Sequence, residues 1–366
     1  MRGSRLLRLL LLSMNLLLAL ALLLSDLAPY IDPNTLLFPA FLGLVFLPLF
    51  ALNIVFVLFW LIVRPNYVLF GIIVIAISIP NLLNHVNFGS GLDKSGDIKA
   101  ISFNVRLFDL YNWTNNKETP NDILDFFVKE DADIICLQEY FRSDAKDVLN
   151  TTETLLKVQD ATNLHEHFTA VIHHGRHKFG IATLTKYPIV DEGLIPLDTA
   201  GNNVAIYTDM IVQRETLRVV NVHLASVHLS ALEKEIDEHI ERNDQQKQWD
   251  DLKMLIRKLA GGYKKRARQI QQIHQFITDS PHPVLFCGDL NDTPGSYSYR
   301  KIASELQDAF TENGSGMGTS YIGYYPSLRI DFMMHSDPLD NVKFETTDVR
   351  LSDHRPLVGE FNLNAL

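Results

Sequence analysis

Between Asp32 and Arg64 the chain has no charged side chain, and residues 36–62 are 27 consecutive uncharged, mostly apolar positions. A helix rising 1.5 Å per residue over that run is about 40 Å long, more than the roughly 30 Å of a bilayer's hydrocarbon core. The run predicts a transmembrane helix, with Pro39 and Pro48 kinking it or setting its start. A second apolar run, 67–83, is near the shortest that spans. A third, 9–25, follows Arg2, Arg5 and Arg8. Its basic start and short core also fit a signal peptide, but no small-residue cleavage site is evident, which favours uncleaved insertion. The expectation is a transmembrane region over 1–86 with spans near 9–25, 36–62 and 67–83.

Basic residues orient these spans. Arg2, Arg5 and Arg8 flank the first on one side, Arg64 lies between the second and third, and the intervening loop carries only Asp26 and Asp32. The positive-inside rule places both basic sites in the cytoplasm, so three spans deliver the rest of the chain to the outside. A small transporter with a regulatory domain is disfavoured, because none of the three expected spans contains an ionisable residue.

After a polar, glycine-containing linker at 87–96, residues 97–366 are long enough for one large domain with a substantial core. Several short apolar segments there end on polar residues, where a buried strand should be leaving the core. Ile101-Ser102-Phe103-Asn104 ends on an amide and Ile134-Ile135-Cys136-Leu137-Gln138-Glu139 on a carboxylate. Val219-Val220-Asn221-Val222-His223 carries a histidine, and Cys287-Gly288-Asp289-Leu290-Asn291 an Asp-x-Asn pair. Asp331 borders a further apolar strand, and Leu351-Ser352-Asp353-His354 comes after it. Carboxylates at strand ends can hold a hard cation, histidine can carry charge or protons at a phosphate, and an Asp-x-Asn pair can orient a water. Alternation along a strand would put Asp289 and Asn291 on the same side.

This ordered set resembles the endonuclease/exonuclease/phosphatase superfamily, the metal-dependent phosphoesterases related to pancreatic deoxyribonuclease, over roughly residues 97–364. The resemblance implies an α/β (α+β) fold: a four-layer sandwich of two mixed β-sheets flanked by helices, here preceded by about three transmembrane helices. It implies Mg²⁺ or Mn²⁺ held mainly by Glu139, with Asn104 and Asp353 close by. Asp289 would orient or deprotonate the attacking water, Asn291 would bind a phosphate oxygen, and Asp331 would fix the ring of His354. His223 matches the second histidine of the deoxyribonuclease and sphingomyelinase branches.

Charge bears on the substrate. Of 33 basic and 43 acidic residues, 29 and 41 lie after residue 90, a balance of −12 that does not suit a protein living on phosphate-backbone contacts. The one dense basic cluster, Lys264, Lys265, Arg266 and Arg268, is expected to open a helix running through Ile270, Ile273 and Ile277. Residues 226–262 read as an inserted pair of amphipathic helices ending at Gly261-Gly262, with Trp249, Leu252, Ile256 and Leu259 at helical spacing. His165, His167, His173, His174 and His177 lack a regular ligand spacing and read as a polar loop.

The sequence thus points to a membrane-anchored, extracytoplasmic, divalent-metal-dependent phosphodiesterase or phosphatase. Its expected substrate is a phosphoester, with membrane lipids among the candidates. The alternatives are a nuclease, or a non-catalytic domain binding a phosphorylated ligand; the full set of metal and proton-transfer groups speaks against the latter. A topology reporter fused after Leu366 is expected to be active outside the cytoplasm and silent as a cytoplasmic reporter. The reverse result would refute the assigned orientation.

Overall fold

The computed structural model describes residues 2–89, 94–143, 163–172, 176–197, 203–227, 245–323 and 327–364. Four apolar helices come first: α1 (Arg2–Leu27), α2 (Phe38–Leu44), α3 (Phe46–Val63) and α4 (Val68–His85). Three segments are long and apolar enough to cross a membrane: Arg5–Tyr30, Phe46–Val63 and Pro65–His85. The expected span 36–62 is therefore two helices. Pro48 lacks a donor for the carbonyl one turn back, and the chain breaks just before it, at Val45 (φ −102°, ψ 22°). Both prolines then sit in first turns, where a missing N–H goes unnoticed.

Polar side chains join the apolar helices to one another. Trp60 Nε1 donates to Asn15 Oδ1 at 3.0 Å, and Asn53 Nδ2 to the Leu18 carbonyl at 3.2 Å. The last turn of α1 runs past the expected end and includes Asp26, which accepts from Ser78 Oγ at 2.5 Å and Asn81 Nδ2 at 3.1 Å. Ionisable residues thus do lie within candidate spans, Arg5, Arg8 and Asp26 in the first and His85 in the third.

The strands are β1 (Ile98–Asn104), β2 (Ile134–Ser143), β3 (Asn163–Ile172), β4 (His177–Thr185), β5 (Ile189–Leu194), β6 (Val204–Val212), β7 (Glu215–His223), β8 (Val284–Asp289), β9 (Gln307–Asp308), β10 (Asp331–His335), β11 (Leu339–Thr346) and β12 (Leu357–Leu363). The helices among them are α5 (Thr119–Glu130), α6 (Gln245–Thr278), α7 (Tyr297–Ile302) and α8 (Ala309–Asn313). Two six-stranded sheets form, ordered β11-β12-β1-β2-β4-β3 and β5-β6-β7-β8-β10-β9. Each has one parallel pair, β1 with β2 and β7 with β8, and is otherwise antiparallel. The sheets are therefore mixed, and helices flank them. The long connections through α5 and α6 supply the crossovers that parallel pairs need.

The period of two sorts side chains between the layers. Ile98, Ala100, Ile134, Cys136, Leu217, Val219, Leu285, Cys287 and Met333 fill the space between the sheets. Their neighbours of opposite parity face out: Ile101, Phe103, Ile135 and Leu137 toward Ile123 and Phe127 of α5, and Val220, Val222 and Phe286 toward Ile270 and Ile273 of α6. Cys136 and Cys287 are buried free thiols.

Two expectations need correction. The inserted region lies partly outside the described residues, at 228–244, but from Gln245 onward the chain is one continuous 34-residue helix, α6, and Gly261-Gly262 do not end it. The basic cluster sits within that helix instead of opening it, and Arg266 is buried against Asp292. Gly262 lies close to its surroundings: a Cβ there would come 3.0 Å from Arg266 Nη1. The described histidines of the expected polar loop lie on strands, His165 and His167 on β3 and His177 on β4, with His165 buried and bonded to Thr208; His173 and His174 fall outside the described residues.

The start of the linker is pinned. Asn87 pairs with Gly316 through the backbone and donates from Nδ2 to the Phe310 and Thr311 carbonyls at 2.7 and 3.0 Å. Gly43 of α2 approaches Gly295 so closely that a Cβ would collide with the Gly295 oxygen, and Arg329 Nη2 donates to the Asn84 carbonyl at 2.7 Å. The apolar helices thus rest directly on the sandwich.

Gly261 faces open space within α6. Gly261→Ala is expected to stabilise the domain by about 0.5–1 kcal/mol through lost backbone freedom in the unfolded chain, read as a raised denaturation midpoint. Gly262→Ala should show less gain or a loss, given its Arg266 contact. A drop for Gly261→Ala would count against an uninterrupted helix.

Candidate active site

The strand parity that fills the inter-sheet core with apolar groups also sets what stands at its end. Counting by twos from Ile98 gives Ser102 and Asn104; from Ile134, Gln138; from Leu217, Asn221 and His223; from Leu285, Asp289. Asp331 opens β10 two residues before Met333 and pairs in register with Asp289. His223 is in register with Asp289 on the other side. Both sheets therefore present polar side chains at the same end of the space between them.

A buried polar layer lies beneath this end. Gln138 Nε2 donates to Asn221 Oδ1 at 2.7 Å and Ser102 Oγ at 3.3 Å, and Asn221 Nδ2 donates to the Ala182 carbonyl at 2.9 Å. These bonds tie one sheet to the other, and all three residues are almost completely buried. None of the three is among the site residues expected from the sequence, although each shares their parity.

Asp289 is at the centre, with no exposure to solvent. Its Oδ2 accepts from Asn104 Nδ2 at 3.1 Å and has the Nε2 atoms of His223 and His354 at 3.8 and 3.9 Å. Its Oδ1 accepts from the Asn291 backbone N–H at 2.7 Å. Asn291 owes its place to that turn and not to strand alternation, because β8 ends at Asp289 and Asn291 adopts a left-handed backbone (φ 51°). Asparagine is suited to both features. Its amide donates to the Leu224 carbonyl at 3.3 Å.

His354 Nδ1 lies 2.8 Å from Asp331 Oδ2. Burial opposes charge on this ring, but the carboxylates of Asp331 and Asp289 outweigh it, so its pKa is pushed up to about 10 and it stands as an imidazolium at neutral pH. Asp331 is itself placed by Ser320, whose hydroxyl accepts its backbone N–H at 3.0 Å. Ser352 Oγ donates to the Asn104 carbonyl at 2.9 Å and so joins the loop bearing Asp353 and His354 to the end of β1.

Glu139 does not end β2, as its sequence suggested. It sits in a bulge where the register shifts between Leu137 and Tyr140, in a left-handed conformation (φ 47°). Bulges re-aim side chains, and this one turns Glu139 toward the site against its strand's alternation. Its Oε1 lies 3.4 Å from Asn104 Nδ2 and 3.8 Å from His223 Nε2. His223 Nε2 is buried with no hydrogen-bond partner among the described residues. Asp353 pairs with Arg106 Nε at 3.3 Å, and Arg106 is a further residue that no sequence motif singles out. The guanidinium also lies 4.4 Å from the Trp113 ring.

Among the described residues, ligand atoms of Asp289, Asp331 and His354 fall within 4.8 Å of one another. A carboxylate and histidine cluster that could hold a metal is thus present. As an imidazolium His354 carries protons on both ring nitrogens, which leaves neither with a lone pair for a metal. The oxygens of Glu139 and Asn104, whose side chains lie side by side, suit a hard cation better.

Residues 101–354 match the model of the Endonuclease/Exonuclease/phosphatase family, and the chain belongs to that family. Residues 7–85 match a domain of unknown function. No curated protein matches significantly in sequence. Solved structures of similar fold include the human Nocturnin catalytic domain with bound sulfate, 17% identical with TM-score 0.52 over 74% of this chain and 94% of that one. Another is an endonuclease/exonuclease/phosphatase from Beutenbergia cavernae, 16% identical with TM-score 0.52 over 74% and 72%. A third is humanized D. rerio TDP2, 15% identical with TM-score 0.51 over 72% and 98%. The family's phosphoesterases and nucleases make this chain, at that level, a phosphoester hydrolase or nuclease.

Burial, and then the charge of Asp331, push Asp289 up to about 6. Against an unfolded value near 3.9, its ionisation disfavours the folded state by on the order of 3 kcal/mol above pH 6, and by nothing below both values. In chelator-treated protein, Asp289→Asn should therefore raise the thermal midpoint at pH 7.5, with the difference fading toward pH 4. The gain will fall short of the full amount, because the new amide meets Asn104. An unchanged or lower midpoint at pH 7.5 would contradict a charge held at a cost.

Proposed function

We propose that this chain is a membrane-anchored, divalent-metal-dependent phosphoester hydrolase working by in-line attack of water. The observation that carries the reading is the fully buried Asp289 set between Asn104, His223, His354 and the Asn291 turn. Such a carboxylate, ionised above about pH 6, is a base matched to neutral conditions.

Asp289 orients the water and takes its proton as the oxygen attacks phosphorus. Asn291 holds a non-bridging phosphate oxygen. His354, fixed as an imidazolium by Asp331, donates toward charge that builds on the phosphorane or the leaving oxygen. His223 adds a second ring beside Asp289 and Glu139. Glu139, Asn104 and Asp353 are the residues assigned to hold Mg²⁺ or Mn²⁺, which when bound neutralises phosphate charge as a Lewis acid. A flip of the Asn104 amide would present oxygen in place of nitrogen on that side, and Asp353 would then be shared with Arg106.

Three candidate spans, with arginines before the first and between the second and third, support an extracytoplasmic catalytic domain. The apolar helices also supply the substrate argument. The loop after Asn291 reaches Gly43 through Gly295, so the site lies within a few residues of the membrane module. An acidic domain held there meets lipid headgroups at high effective concentration and attracts polyanions weakly. A membrane phosphodiester or small phosphoester is the favoured substrate over DNA or RNA.

Purified full-length protein should lose activity with chelator and regain it with Mg²⁺ or Mn²⁺. Asp289→Ala and His354→Ala should each lower turnover by a factor on the order of 10² or more in folded protein. Glu139→Gln should be partly rescued by high metal concentration. Activity should fall as pH drops through about 6 or somewhat below, since a neighbouring cation can only favour ionised Asp289. Full activity in either alanine variant sinks the assignment, and efficient plasmid degradation with no turnover of lipids or small phosphoesters makes the protein a nuclease.

A further inference from the structure

The amphipathic half of α6 continues a surface already engaged by the membrane module. Gln271 Nε2 donates to Asp32 at 2.9 Å, Arg268 Nη1 to Asn34 Oδ1 at 3.0 Å, and the Lys264 carbonyl accepts from Asn34 Nδ2 at 3.2 Å. Next to Lys264, Tyr263 packs edge-on against Phe41 of α2, with centroids 5.6 Å apart. Along some two turns the contacts therefore pass from a charged loop residue to an apolar residue of the membrane module. The helix runs alongside that module and approaches its apolar part as it is traced backward.

At 100° per residue, Tyr263 shares a stripe with Leu259, Ile256, Leu252 and Trp249. Tyr263 is covered by Phe41, but the module does not extend along the stripe. Trp249, Leu252 and Ile256 remain 62%, 43% and 45% exposed. Lys253, Arg257 and Lys264, also exposed, border the stripe on one side. Residues 245–268 hold eight Lys and Arg against Asp250 and Asp251 in a chain whose net charge is −10. The buried face of the same helix, with Asp251, Gly262 and Arg266, borders the stripe on its other side.

We propose that residues 245–263 of α6 lie in the outer interfacial layer of the bilayer, with Trp249, Leu252 and Ile256 among the upper acyl chains and Lys253 and Arg257 on anionic headgroups. A basic amphipathic helix with Trp and Leu on its apolar face binds in that position. From Tyr263 back to Trp249 is about 21 Å, enough to reach lipid beyond a small helical bundle. The proposal rests on the membrane-spanning reading of the three apolar helices. It does not depend on the hydrolase activity. It makes α6 a second contact with the membrane, one that fixes the tilt of the catalytic domain.

The test places single nitroxide labels on full-length protein in nanodiscs; the native cysteines are buried and should escape labelling. Leu252→Cys reports the stripe, Leu58→Cys on α3 the spanning region, and Val190→Cys on β5 bulk water. Accessibility to oxygen and to a water-soluble nickel chelate gives depth. The label at 252 should lie below the phosphate level but shallower than that at 58. In phosphatidylcholine containing phosphatidylglycerol, adding Lys253→Glu and Arg257→Glu should raise its nickel accessibility several-fold, with little change in phosphatidylcholine alone. A label at 252 as nickel-accessible as that at 190, or shielded from both reagents, overturns the proposal while an immersed label at 58 leaves the anchoring intact. Charge reversal without effect in the anionic bilayer removes the headgroup contact. A water-exposed label at 58 removes the spanning reading and this one together.

Discussion

Two sheets packed face to face impose one constraint from which the site follows. Every central strand must give the same alternate positions to the space between them, and a strand cannot change parity without a bulge. Within the core those positions are Ile, Val, Leu, Ala, Met and Cys. At one end they become Asn104, Gln138, His223, Asp289 and Asp331. The polar groups inherit the burial of the apolar ones, and burial makes their chemistry unusual. Desolvation lifts Asp289, and two carboxylates overcome the same penalty at His354 to keep its ring charged. The Gln138–Asn221 bridge gives the Gln138 Nε2 and both ends of the Asn221 amide partners across the sheets, so the pairing of sheets and the holding of the polar site groups are one structural problem.

What is legible in the sequence divides along the same line. Asn104, His223, Asp289 and Asp331 are visible because each stands at the end of a short apolar run, the first three closing theirs and Asp331 opening its own, and spacing is a local property. Glu139 stands out in the sequence for a reason that does not hold, since its strand continues past it and only a bulge turns it inward. Asn291 does belong in the neighbourhood of Asp289, but a turn places it there, which needs a left-handed residue and leaves no periodic mark. Ser102, Gln138 and Asn221 have the right parity but read as ordinary strand polars, because the bridge they build spans both sheets. Arg106, Ser320 and Ser352 act through contacts with distant segments that no single stretch of sequence announces.

The widest gap between sequence and structure is at α6. Two adjacent glycines usually argue for a stop, and as isolated local signals Gly261 and Gly262 do. Tertiary contacts outweigh them. Arg266, one turn beyond, is buried against Asp292 and donates to the Ala225 carbonyl, and the apolar residues on either side of the glycines lie on one continuous face. The cost of glycine in a helix, about 1 kcal/mol each, is small against the burial of Ile270, Ile273 and Ile277. The apolar run at 36–62 departs in the opposite direction. Hydropathy continues through Val45, while Pro48 requires a break that hydropathy does not register.

Arg266 also links these observations. Its partner Asp292 comes directly after Asn291 and accepts from Ser298 of α7 at 3.0 Å, while Gly295 in the same loop meets Gly43. The loop that bears Asn291 is thus gripped from one side by α6 and from the other by the apolar helices. A flexible tether would raise the local concentration of substrate and leave orientation to chance. Contacts at Gly43, Asn84, Asn87, Asn34 and Phe41 instead fix the sandwich at several separated points, which removes rotation as well as translation. Where an anchor only needs to retain an enzyme, such contacts serve no purpose. Where the scissile phosphate lies at a set depth beside the bilayer, orienting the site toward it lowers the entropy that binding must otherwise remove.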